Sequence, residues 1–142
     1  TAEQQAEEML LAVLLEHPEL ALGCQDIVEE VGFVHQARRQ IFDCILAHDG
    51  EQTVEVHRLM EILEDEASSV LAGILSKNVP DGDCAKIIDD CLRQMKKGFL
   101  EKEYEKHRLL ADEYERSGNE RFMDELLESQ RINNEIKRLY GS

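Results

Sequence analysis

The stretch GFLEKEYEKHRLLADEYERSGNERFMDELLESQRINNEIKRLY, residues 98–140, is broken only at Ser117-Gly118-Asn119. On either side of that triplet, one face repeats at alternating steps of four and three, the spacing of a helix packing seam. Upstream the seam is Leu100, Tyr104, His107, Ala111 and Tyr114; downstream it is Phe122, Leu126, Ser129, Asn133, Ile136 and Tyr140. Gly118 can take the left-handed conformation that ends a helix, and Asn119 is a favourable N-cap for the next. The two helices are therefore expected to fold back on each other. Equal distance from the turn sets Tyr114 opposite Phe122, His107 opposite Ser129 and Leu100 opposite Ile136. Ile132 and Leu139 flank one edge of the second seam, and Met123 and Leu127 the other. That apolar arc is wider than one facing helix covers. The shoulder residues Leu109, Leu110, Met123, Leu127, Ile132 and Leu139 are thus expected to meet a partner protein. Leu109 lies opposite its own seam, and for it a scattered surface leucine is an equal reading.

Upstream of this hairpin the pattern is a helix bundle. Residues 3–17 form a first helix, apolar on nearly every side from Met9 to Leu15, which suits a central position. Pro18 stops it by pushing His17 out of the helical region. One or two short helices follow, to Gly32. Val34, Ala37, Ile41, Ile45 and Leu46 stripe a third helix closed by Asp49-Gly50. Thr53 can cap a fourth with Val56, Leu59, Met60 and Leu63. A fifth, about Glu66 to Lys77, presents Val70, Leu71, Ile74 and Leu75. From Asp83 one long helix runs to the Gly118 turn, its first part striped for the bundle (Cys84, Ile87, Ile88, Cys91, Leu92, Met95, Phe99) and its next part charged. Gly98, costing about 1 kcal/mol relative to alanine, marks a flexing site within it. The expected architecture is all-α. A bundle over residues 1–97 is joined by a shared long helix to an antiparallel hairpin over residues 98–142.

Composition narrows the function. The chain has 142 residues, 42% of them apolar, and a formal net charge of −15. Gripping nucleic acid needs clustered Lys and Arg, yet residues 1–32 contain none against eight acids, and residues 33–98 carry twelve acids and eight bases. Direct nucleic-acid binding is not expected. A basic partner would gain in association rate, although a merely solubilising acidic surface accounts for the same charge. No stretch is long enough to span a membrane, and Thr1-Ala2-Glu3 lacks the layout of a signal peptide. Thr1 in place of Met suggests an excised fragment preceded by other domains. Cys24, Cys44, Cys84 and Cys91 form no CxxC pair and read as reduced core cysteines of a cytosolic protein.

No arrangement points to catalysis. A di-iron bundle needs Glu-x-x-His, but the residue three before each histidine is Leu14, Gly32, Ile45, Val54 or Tyr104. Zinc needs close Cys/His pairs, and Cys84 and Cys91 stand seven apart with no histidine near. His35 and His57 read as surface or boundary histidines. Neither a metal nor a cofactor is expected in this chain.

Three stretches, in order, resemble the C-terminal helicase-binding domain of bacterial DNA primase of the DnaG type. They are Glu7-Glu8-Met9-Leu10-Leu11 with Leu14-Leu15-Glu16-His17-Pro18-Glu19-Leu20; Phe33 with Arg38-Arg39-Gln40-Ile41-Phe42; and Gly118-Asn119-Glu120-Arg121-Phe122 with Leu126-Leu127 and Asn134-Glu135-Ile136-Lys137-Arg138-Leu139. The resemblance implies that the Leu109–Tyr140 hairpin holds the N-terminal domains of a DnaB-type replicative helicase. It also implies that the Glu3–Met95 bundle modulates that helicase, in the bacterial cytoplasm at the replication fork. The zinc-binding and metal-dependent polymerase domains would lie upstream. Alternatives are the N-terminal domain of the helicase itself, a homodimer sealed through the hairpin shoulders, and an all-helical enzyme with an unrecognised metal site. The isolated domain is expected to be a monomer or weak dimer.

Overall fold

The structure is a computed structural model that describes residues 1–48 and 54–141. Among these residues it is all-α, with seven helices and no strand. α1 (Ala2–Glu16) is capped by the Thr1 hydroxyl, which accepts the Gln4 N–H at 3.1 Å. Leu10, Leu11, Val13 and Leu14 are fully buried, so the helix is enclosed on nearly every side over this stretch. The helix ends at His17, ahead of Pro18. Two single 3-10 turns, Pro18–Leu20 and Leu22–Cys24, lead into α2 (Gln25–Val31), which stops at Gly32 with φ 71°.

α3 (Gln36–Ala47), α4 (Val56–Ile62) and α5 (Asp65–Leu75) complete the layer around α1. α1 packs against both α3 and α5, and α3 against α5. Phe33, just before α3, meets the Phe42 ring at 5.7 Å between centroids. Asp49-Gly50 and Thr53, read as a helix stop and a cap, lie outside the described residues. Val34 departs from its expected stripe: it precedes α3 and is exposed. Its backbone N–H is used instead, donating to Glu7 Oε2 at 2.9 Å. Met60 and Leu75 also stay exposed, and Leu63 falls just past the end of α4.

α6 (Cys84–Ser117) starts where the Asp83 side chain accepts the Ala85 N–H at 3.0 Å. Its 34 residues span about 51 Å at 1.5 Å per residue. The helix runs through Gly98 without a break. Ile88, Cys91, Leu92 and Met95 belong to the bundle core together with α1 and α3. α7 (Phe122–Tyr140) packs back on α6 as the hairpin. The chain forms two compact units that part between Met95 and Lys96.

Candidate functional site

The hairpin turn follows from Gly118. At φ 70° its N–H donates to Glu115 O, while Asn119 N–H reaches back to Tyr114 O at 2.9 Å. These are the two bonds of a Schellman stop. Asn119 acts two residues earlier than the N-cap position, which Arg121 occupies: its side-chain oxygen accepts the Arg121 N–H at 2.9 Å. Asp124 and Glu125 in the first turn of α7, and Lys137 and Arg138 in the last, complement the helix dipole.

Both seams turn partly inward. Leu100 and Ala111 are buried on α6; Tyr104, His107 and Tyr114 are half-buried. On α7 Ser129 is buried, its hydroxyl donating to Leu126 O at 2.8 Å, while Phe122, Leu126, Asn133, Ile136 and Tyr140 are half-buried. His107 Nδ1 lies against Glu125 Oε2 across the hairpin, one turn from its expected neighbour Ser129, and its Nε2 stands 3.6 Å from Glu103.

The shoulder residues separate into three groups. Ile132, expected on an exposed flank, is 3% exposed. The buried arc of α7 is centred between Ser129 and Ile132, rotated by about 50° from the seam drawn through Phe122 and Tyr140. That rotation takes in one shoulder and leaves the other outside. Leu110 and Leu139 are half-buried. Met123 and Leu127 remain 51% and 57% exposed. They are four residues apart, hence one turn apart on a single outer ridge of α7. Leu109, 53% exposed, is on the opposite side of α6 from its seam, so the hairpin itself stands between it and that ridge.

Ion pairs fix the charged faces beside these residues. Arg108 joins Glu105 and Asp112, and Arg131 joins Glu128 and Glu135. Each guanidinium holds its hydrogen-bonded glutamate, Glu105 or Glu128, below the usual carboxylate range.

The bundle contains a polar network that the sequence reading left unassigned. Glu7, 1% exposed, accepts from Arg38 Nη1 at 2.9 Å and from the Val34 N–H. Arg38 Nη2 also reaches Glu8 at 3.2 Å, and Glu8 pairs with Lys77 at 3.2 Å. Burial pushes the Glu7 carboxyl above its ordinary value, against the opposing pull of Val34 and Arg38.

Among the described residues no group of three His, Cys, Asp or Glu is placed to hold a metal. His57 is an exposed partner of Glu61 at 3.2 Å, and His35 is exposed. All four cysteines are free. Burial pushes the Cys24 and Cys91 thiols up to about 11. No described helix is long and apolar enough to cross a membrane. No protein-family model, curated protein or solved structure matches the chain.

Proposed function

We propose that this chain is the helicase-binding domain of a DnaG-type bacterial primase, a non-catalytic module that brings primer synthesis to the DnaB-type helicase at the fork. The observation that carries the reading is the Met123–Leu127 ridge: two large apolar side chains, one turn apart, more than half exposed on the outside of a terminal helix pair. The ordered resemblance along the sequence supplies the partner's identity. Docking would be helix on helix, with the ridge as anchor and Arg131, Asn134 and Arg138 continuing the same face as a polar rim.

The magnitude is modest. Fully burying a Leu or Met contributes roughly 1.5–3 kcal/mol, so covering the exposed half of two such residues supplies about 2 kcal/mol. Ile132 is already buried and adds nothing. Half-buried Leu110 and Leu139 and the rim must supply the rest, before ordering costs.

Leu127→Asp tests the reading. It sets a charge where an apolar contact would be and leaves the buried side of α7 untouched. Affinity for the N-terminal domain of the cognate helicase should fall at least a hundredfold, with helix content by circular dichroism unchanged. Wild-type affinity in this variant would reject the ridge as the docking surface.

A further inference from the structure

A second site lies in the bundle, independent of the hairpin and its proposed partner. The sides of α1, α4 and α5, together with the segment after α5, enclose an open-mouthed cavity of about 200 Å³. Its apolar walls are Ala12, Leu15, Val56, Ile74, Leu75 and Val79. Two charged groups stand at it, Glu16 and Lys77. The Lys77 ammonium is taken up by Glu8 at 3.2 Å. Glu16 is exposed and has no ion-pair partner among the described residues, so the open charge at the mouth is a carboxylate.

Size limits the occupant. A dry cavity of roughly 150 Å³ accepts a benzene ring, whereas sites for drug-sized ligands start near 300 Å³. This cavity therefore takes one ring or one branched alkyl group. Leu75 on the rim is 43% exposed, and Met60, one turn beyond Val56 on α4, is 40% exposed. A polypeptide surface can cover that rim while filling the hole. The mouth carboxylate, in a chain whose first 32 residues carry eight acids and no Lys or Arg, selects a basic neighbour for the inserted group.

We propose that this cavity is a socket for one large apolar side chain of a partner polypeptide that carries a lysine or arginine beside it. The probe is the end-capped tripeptide lysyl-phenylalanyl-lysine, titrated into the full chain with methyl NMR as readout. It should bind in the millimolar range and shift the methyls of Leu15, Val56, Ile74 and Val79 foremost. Replacing its phenylalanine by alanine, or its lysines by glutamates, should weaken binding at least fivefold. Glu16→Gln, an exposed and isosteric change, should cut the preference for lysine over glutamate at least twofold while wall-methyl shifts persist. The glutamyl peptide binding equally well, wall methyls that do not respond, or an unaltered preference in Glu16→Gln would each overturn the proposal. So would phenethylammonium binding as tightly as the tripeptide, since a small molecule would then suffice.

Discussion

Glu7 is an acid that desolvation disfavours, held in place by a guanidinium and a backbone N–H. Removing one partner of such a buried pair leaves the other uncompensated, so Glu7→Ala should lower unfolding stability by about 3 kcal/mol in urea titrations. Arg38 retains Glu8, which keeps the loss from being larger. The pH dependence has a definite sign. With its pKa raised above the ordinary 4.5, Glu7 keeps its proton in the folded chain at a pH where the unfolded chain has lost it. The wild type's margin over Glu7→Gln should therefore grow as pH falls from neutrality through that window toward 4.5, and shrink on the way back. A margin that falls on acidification would contradict the burial of this carboxyl. The thiols offer a further check. With pKa values of about 11, Cys24 and Cys91 hold roughly one thiolate in a thousand at pH 8. They should label with a disulfide reagent only at the rate at which the bundle opens.

Among the elements, helices were legible wherever periodicity and stop signals agree. α1 is capped at His17, the residue before Pro18, α2 is capped at Gly32, and α6 ends at the Gly118 turn. Alanine at Gly118 would have to adopt φ near +70°, and should cost about 1 kcal/mol in hairpin stability by thermal melting. The buried arc of α7 was harder to read. Ile132 and Leu139 on one side and Met123 and Leu127 on the other are chemically equivalent, and a wheel drawn on one helix is blind to how that helix rolls against its neighbour. Ser129 and Ala111, both small, are both buried in that pair. Opposite outcomes are therefore expected for two similar changes. Ile132→Asp should strip helical signal by burying a charge, whereas Leu127→Asp should leave it intact. Arg38 and Glu7 were recognised as parts of separate motifs but not as partners, since 31 residues divide them and no local period links them.

On the scale of the whole molecule, the chain combines an enclosed bundle core, an acidic exterior, and a helix pair that leaves one ridge of apolar side chains in solvent. The proposed recruitment role requires that ridge to be covered by a partner protein rather than by nothing. With a charge of −15 the chain's encounter with the proposed partner, if docking uses a basic patch there, is salt-sensitive, and the association rate should fall several-fold between about 50 and 200 mM salt. The most direct measurement is a methyl NMR titration of the full chain with the proposed partner, the N-terminal domain of a DnaB-type helicase. The account predicts that the Met123 and Leu127 methyls shift or broaden first, while Leu109, on the far side of α6, does not move. Response at Leu109 with Met123 and Leu127 silent, or no response anywhere along the hairpin, would contradict it.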